Sequence, residues 1–351
     1  MSNTSDLQKL LRPNIRSLKP YSSARSEFHG EASVFLDANE NPYEGPYNRY
    51  PDPMQRLLKD RLSSLKGVDG ANIFVGNGSD EAIDIVIRAF CEPRADSLVT
   101  ISPSYGMYEV AAAVNDVRCI KVPLDAGFRL NSRAVLEAAG REASAKLIYL
   151  CSPNNPTGNL LDRRGIAYLL ERFRGIVVVD EAYIDFAPSS PSFAHELSEH
   201  PNLIVLQTLS KAWGAAGLRL GMAFAAEWII DVMNNIKYPY NVSRPAQEEA
   251  LAILGREQLM KDRLTSILGE RSRLEEALGR LSFVERIYHS DANFLLVKVC
   301  DANRTYKHLV ERKVIVRNRH TVALCEGCIR ITVGTPREND VLVEALKEMQ
   351  P

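Results

Sequence analysis

The stretch Ile176-Val177-Val178-Val179-Asp180-Glu181-Ala182-Tyr183 reads as a buried strand that runs into charge. Its apolar residues are all β-branched and show no polar alternation, which suits a parallel strand covered on both faces by helices. Two acids and a tyrosine then stand where the strand stops. A carboxylate there is costly unless it caps the following turn or meets a cation or a strong donor.

Similar runs lie on both sides. Ile73–Val75, Leu98–Ile101, Lys146–Leu150 and Leu203–Gln207 read as strands of the same kind. Helical patterns fall between them. Ser79–Cys91 opens with acids and carries Ala82, Ile83, Val86, Ile87 and Phe90 as a stripe, and Asp162–Phe173 is a second such helix. Alternation of this kind predicts an α/β fold, a mostly parallel sheet between helices with right-handed crossovers.

Beyond Arg244 the texture changes. A single long charged helix is expected over Gln247–Leu281. Strand Asn293–Val299, helix Asn303–Glu311, strands Val314–Arg317 and Cys328–Val333 and helix Arg337–Met349 follow, a smaller α+β unit. The expected division is 1–45 as an N-terminal arm with part of the small domain, 46–250 as a large domain, and 251–351 as interdomain helix and small domain. Asn39–Pro53, rich in Pro, Tyr and Asn, reads as irregular chain of the kind that is often functional.

Composition narrows the function classes. The 351 residues are 45% hydrophobic, and Lys+Arg 43 against Asp+Glu 44 leaves a net charge of -1. That excludes a global field for nucleic acid or anionic lipid. No apolar run is long enough for a membrane helix, and MSNTSDLQKL lacks the basic start and apolar core of a secretory signal, so a cytoplasmic location is expected. Cys325-Glu326-Gly327-Cys328 has the spacing of a metal or redox pair. Only His320 and Cys300 stand near enough to complete a site, neither makes a familiar pattern, and two thiols flanking a tight turn is the preferred reading; no metal is expected.

Four strand ends carry possible chemistry. Val75-Gly76-Asn77-Gly78-Ser79-Asp80-Glu81 is strand, glycine turn and helix start, a cradle for one phosphate; Glu81 occupies the place of the third glycine that a dinucleotide site needs. Ser152-Pro153-Asn154-Asn155-Pro156-Thr157-Gly158 follows Lys146–Leu150, at the edge where open α/β sheets bind ligands. Asp180 and Tyr183 close the third strand. Thr208-Leu209-Ser210-Lys211 follows the fourth, with Arg219 in Gly217-Leu218-Arg219-Leu220-Gly221. A desolvated lysine near a cation has the lowered pKa of a Schiff-base nucleophile. Singly, each is an ordinary turn, cap or surface lysine. Together they supply what pyridoxal phosphate requires: a Schiff-base lysine and an acid for the pyridinium nitrogen.

At these residues the chain resembles the fold-type I, aspartate-aminotransferase-like pyridoxal-phosphate enzymes. Within them it is most similar to the histidinol-phosphate aminotransferases, through Leu36-Asp37-Ala38-Asn39-Glu40-Asn41-Pro42, Arg49-Tyr50-Pro51-Asp52, Ser102-Pro103-Ser104-Tyr105-Gly106-Met107-Tyr108 and Ile329-Arg330-Ile331-Thr332-Val333-Gly334-Thr335. The resemblance covers nearly the whole chain, from about Tyr21 onward. It implies a large domain with a mostly parallel sheet and a smaller α+β domain. Lys211 would be the Schiff-base lysine and proton shuttle, and Asp180 the partner of the ring nitrogen. Tyr183 and Asn155 would hydrogen-bond the ring O3′, and Tyr105 would stack on the ring. Ser79, Asp80, Thr208, Ser210 and Arg219 would hold the cofactor phosphate.

The resemblance also implies a homodimer with shared sites, in which Tyr50 reaches the phosphate of the neighbouring subunit. Arg330 would bind the α-carboxylate of glutamate in one half-reaction and the phosphate of histidinol phosphate in the other. Arg317 would be a second phosphate ligand, Tyr21 would close the pocket, and Asn155 would also border the substrate. Asp37 stands where many relatives carry Asn, and Trp213 where Phe or Tyr is common. The implied reaction interconverts L-histidinol phosphate and 2-oxoglutarate with imidazole acetol phosphate and L-glutamate, in histidine biosynthesis. Rival readings are an aromatic aminotransferase, a threonine-phosphate-decarboxylase-like enzyme, and a catalytically silent pyridoxal-phosphate-binding domain.

Overall fold

The computed structural model describes residues 4–21, 33–141 and 144–349. Two sheets organise them. The larger has seven strands: β1 (Ile73–Gly76), β2 (Ser97–Ser102), β3 (Arg118–Pro123), β4 (Ala145–Cys151), β5 (Ile176–Asp180), β6 (Leu203–Thr208) and β7 (Gly221–Ala225), in the order β1-β7-β6-β5-β4-β2-β3. Only β7 runs against its neighbours; β3, β2, β4, β5 and β6 pair in parallel. The smaller sheet is antiparallel, in the order β10-β11-β9-β8, from β8 (Val284–Ile287), β9 (Phe294–Val299), β10 (Arg317–Asn318) and β11 (Cys328–Thr332).

The unbroken apolar run of β5 has the expected cause. Val177 and Val179 join the core on one face of the sheet, while Ile176 and Val178 join the core on the other. All four are fully buried, each contributing about 1.5–3 kcal/mol. Helix Ser79–Phe90 covers one face with the predicted stripe, and helix Arg163–Arg172 lies on the other, capped by Asp162, which accepts from the N–H groups of Arg164 and Gly165.

Three expectations are corrected. The long helix over Gln247–Leu281 is two helices, Arg244–Leu254 and Glu257–Gly279, parted at Gly255, a poor helix former. The strand over Val314–Arg317 shrinks to Arg317–Asn318, because only these residues pair with β11. Strands β3, β7 and β8 are additional. β3 is a sheet edge with a half-exposed, mixed sequence, and β7 is built largely from Gly and Ala, so neither carries a strong strand pattern.

Cys325 and Cys328 flank a tight turn: the Cys328 N–H donates to the Cys325 carbonyl at 2.9 Å, and Gly327 supplies φ 77°. All six cysteines are free thiols. Among the described residues no helix is long and apolar enough to cross a membrane, and no His, Cys, Asp and Glu cluster could hold a metal ion.

Candidate active site

The parallel strands end together. Cys151 and Asp180 are paired in register, Asp180 pairs with Leu206, and Thr208 pairs with Gly221 of β7. The loops leaving these ends open into a cavity of about 980 Å³. Ser79, Asp80, Tyr105, Asn155, Asp180, Tyr183, Thr208, Ser210, Lys211, Arg219, Arg317 and Arg330 all border it. Tyr21 and Tyr50 do not. Tyr21 is exposed on the N-terminal arm, and Tyr50 stacks on Tyr240 at 4.3 Å with half its surface exposed.

One wall is an anion cradle. Helix Ser79–Phe90 has no side-chain cap, and Gly78 enters it at φ 80°. Two missing side chains make room. A Cβ on Gly78 would lie 2.8 Å from Arg219 Nη2, and one on Gly221 would lie 2.2 Å from the Ser79 nitrogen. Free helix N–H groups and the helix dipole favour an anion here. Thr208 and Ser210 add hydroxyls 3.0 Å apart, and the Ser210 N–H donates to Thr208 Oγ1. Arg219 donates to the Ala216 carbonyl at 3.4 Å and pairs with Asp80 at 3.5 Å, partly in solvent, a weak ion pair from which the guanidinium is readily drawn to a ligand.

At the cavity floor Asp180 is buried. Its Oδ1 accepts the Ala182 N–H at 3.0 Å, and its Oδ2 accepts the Tyr108 hydroxyl at 2.7 Å. Burial raises its pKa, opposed by these two bonds. Both sequence alternatives for this acid are thus partly met, a turn cap and a strong donor. Tyr105 donates to Asp80 at 3.1 Å and packs edge-on against Tyr108.

Lys211 is half-buried, with Nζ 5.5 Å from the centroid of the Tyr183 ring. Burial lowers its pKa, and among charges Arg330 depresses it more than Arg219, the cation suggested by chain proximity. The structure therefore moves that role to the second sheet. Tyr183 packs edge-on against Phe294 of β9 at 5.2 Å, which ties the loop after β5 to the same sheet.

The facing wall is made of arginines. Arg317 of β10 pairs in register with Arg330 of β11, and Arg319 borders the cavity beside them. Among the described residues none of the three makes an ion pair, and the Nε atoms of Arg319 and Arg330 are buried without a hydrogen-bond partner. Arg330 donates from Nη1 to Asn155 Oδ1 and lies over the Phe294 ring. Arg317 is exposed, but Arg319 and Arg330 are half-buried, and cations drawn partly out of water without carboxylates are costly unless an anion is meant to meet them. Arg319 and Tyr108 are site residues that sequence reasoning missed. Tyr108 lay inside a quoted motif and Arg319 two residues beyond Arg317, and the only available signal was the strand and helix spacing that turns them inward.

A model of aminotransferase class I and II matches residues 32–346. A histidinol-phosphate aminotransferase of Parabacteroides distasonis is 63% identical over 98% of this chain and 99% of its own length. The chain belongs to the histidinol-phosphate aminotransferase family of class I and II aminotransferases. Another family member, from Bacteroides thetaiotaomicron, is 54% identical over 98% of this chain and 99% of its own. The solved histidinol-phosphate aminotransferase of Sinorhizobium meliloti, in complex with pyridoxal-5'-phosphate, superposes with TM-score 0.78 at 28% identity, over 86% of this chain and 82% of that one. The cradle, the buried acid and the lysine of this aminotransferase fit that cofactor: the glycines leave room for a phosphate, and Asp180 suits a protonated ring nitrogen.

Proposed function

We propose that this chain is a pyridoxal-phosphate-dependent histidinol-phosphate aminotransferase, interconverting L-histidinol phosphate and 2-oxoglutarate with imidazole acetol phosphate and L-glutamate. The observation that carries the reading is one cavity with a lysine, a buried acid and an anion cradle on one side, and on the other three arginines without carboxylate partners among the described residues. The 63% identity to a histidinol-phosphate aminotransferase supports the choice of substrate.

Pyridoxal phosphate, when bound, supplies a carbonyl for the substrate amine and a ring that withdraws electrons from the substrate α-carbon. The chain supplies the rest. Ser79, Asp80, Thr208, Ser210 and Arg219 hold the cofactor phosphate, with Ser79 and Asp80 donating through the helix N-terminus. Asp180 would pair with the cofactor's ring nitrogen, Tyr105 would lie against the ring, and Asn155 and Tyr183 would donate to its ring oxygen, all four bordering the cavity. Lys211, kept nearer its neutral form by burial and Arg330, would hold the cofactor through Nζ and, once released, would carry the proton to and from the substrate α-carbon. Arg330 takes the glutamate α-carboxylate in one half-reaction, and with Arg317 and Arg319 takes the substrate phosphate in the other.

The same reading makes the protein a homodimer. Tyr50 and Tyr21 lie on an N-terminal segment with exposed Val34, Leu36, Tyr43 and Tyr47, a surface suited to a second copy. Tyr50 would then complete the neighbour's cradle. We place the protein in the cytoplasm, and read 1–45 as arm with part of the small domain, 46–250 as large domain and 251–351 as interdomain helix and small domain, a division supported by the two sheets.

The test is steady-state turnover with histidinol phosphate, phenylalanine, tyrosine and threonine phosphate as alternative donors. The expected result is a kcat/KM for histidinol phosphate well above the others. A higher value for phenylalanine, or release of carbon dioxide from threonine phosphate, would overturn the assignment.

A further inference from the structure

Tyr108 belongs to the motif Ser102-Pro103-Ser104-Tyr105-Gly106-Met107-Tyr108, and no step above uses it. It lies in the first turn of helix Met107–Val114 and is fully buried. Its ring stacks on Tyr149 of β4 at 5.0 Å and meets Tyr105 edge-on at 5.6 Å, so the phenol is held from two sides. Its hydroxyl donates to Asp180 Oδ2 at 2.7 Å, within the range of charge-assisted bonds. Asp180 is itself 2% exposed and takes one further bond, from the Ala182 N–H to Oδ1. Ala182 fixes one carboxylate oxygen and Tyr108 the other, and together they set the plane of the carboxylate.

We propose that Tyr108 is a positioning residue of the cofactor site, which holds Asp180 ionised and oriented so that the proton stays on the cofactor's ring nitrogen. The inference rests on the reading of this cavity as a pyridoxal phosphate site. The reasoning is electrostatic. A buried carboxylate with one donor fewer favours its protonated form. A neutral Asp180 would leave the ring nitrogen without a counter-ion, and the ring would withdraw electrons less. Cys151, Lys211, Asp80, Tyr105, Tyr149 and Tyr183 are the other titratable groups about Asp180 among the described residues, and none of them donates a hydrogen bond to it. Among the described residues Tyr108 is therefore the one side chain that donates to it.

The experiment titrates cofactor-free protein with pyridoxal phosphate, and reads the ring nitrogen of ¹⁵N-labelled cofactor by NMR. Tyr108→Phe keeps the ring and its packing while deleting the donor. It is expected to weaken cofactor binding about ten- to a hundredfold, the worth of a hydrogen bond to a charged group, and to move the ¹⁵N signal toward neutral pyridine. The double variant with Asp180→Asn separates positioning from packing: the effect of Tyr108→Phe on affinity should largely vanish there, because its target is gone. A Tyr108→Phe protein with unchanged affinity and ¹⁵N shift would overturn the inference. So would an equal loss of affinity in both backgrounds. If the unaltered protein bound no pyridoxal phosphate, the functional reading itself would fail and this inference with it.

Discussion

Arg330 on β11 donates a hydrogen bond from Nη1 to Oδ1 of Asn155, joining the smaller sheet to the loop that leaves β4 of the larger one. The bond fixes the guanidinium while its Nε stays buried without a partner. Substitution should separate charge from geometry. Arg330→Lys keeps a cation but loses the planar fork, and kcat/KM for glutamate should fall about ten- to a hundredfold, from ~1.5–3 kcal/mol. Asn155→Ala should act in the same direction by less, about five- to tenfold, from ~1 kcal/mol. Wild-type kinetics in Arg330→Lys would show that the fork does not bind substrate.

Arg330 also reaches Lys211. Burial first, and Arg330 next, lower the Lys211 pKa. A base with a depressed pKa is neutral, and nucleophilic, at lower pH. In cofactor-free protein the pH midpoint for modification of Lys211 by an amine reagent should lie below that of free lysine. Arg330→Gln removes the larger of the two charge effects that depress it, the other being Arg219, and should move that midpoint upward. A midpoint that stays put or falls would remove Arg330 from this role. Lys211→Ala should abolish transamination with little change in thermal midpoint, since the side chain is only half-buried.

The cradle depends on the absence of a side chain at Gly221. A Cβ there would lie 2.2 Å from the Ser79 nitrogen, whereas one on nearby Gly217 meets nothing within 4 Å. Gly221→Ala must push the helix start away from β7. It should cost about 1–3 kcal/mol in denaturant unfolding and weaken pyridoxal phosphate binding as well. Gly217→Ala is the matched control and should bind the cofactor normally. Equal behaviour of the two variants would contradict the packing argument.

The thiols make a prediction that is independent of the cofactor. Cys300 is exposed, while Cys325 and Cys328 are buried, and burial pushes their pKa values up to about 12 and about 11. A thiol reagent should titrate Cys300 quickly and reach Cys325 and Cys328 only on unfolding. The raised folded values also set a sign for stability. Both thiols stay protonated in the folded chain above the pH at which unfolded thiols ionise, so the folded state then binds more protons. Their contribution is complete below about pH 8.5 and is lost as pH rises through about 11 to 12. Cys325→Ala/Cys328→Ala should flatten that loss in unfolding measured across alkaline pH.

Particular residues show how far the sequence could be read. The run 176–179 was legible because burial on both sheet faces leaves no polar residue before the strand's last position, and the same held for 203–206 and, but for the Tyr149 hydroxyl, for 147–150. The positions of Lys211, Asp180 and the Gly78–Ser79 turn followed, since strand ends in parallel register must gather at one edge. β7 was hidden because Gly221-Met222-Ala223 has little strand propensity, though its close approach to Ser79 shapes the cradle. Arg319 and Tyr108 were hidden differently. Their side chains are turned inward by the pairing of β10 with β11 and by the packing of helix Met107–Val114, which are long-range facts. The break at Gly255 shows the reverse case, a local signal outweighed in the reading by the charged helical pattern around it.

The most direct test of the functional reading is the visible absorption spectrum of the protein supplied with pyridoxal phosphate. The account predicts a yellow band that collapses on adding L-histidinol phosphate and returns with 2-oxoglutarate. A band indifferent to histidinol phosphate would contradict the substrate assignment, and no band at all would contradict the role of Lys211.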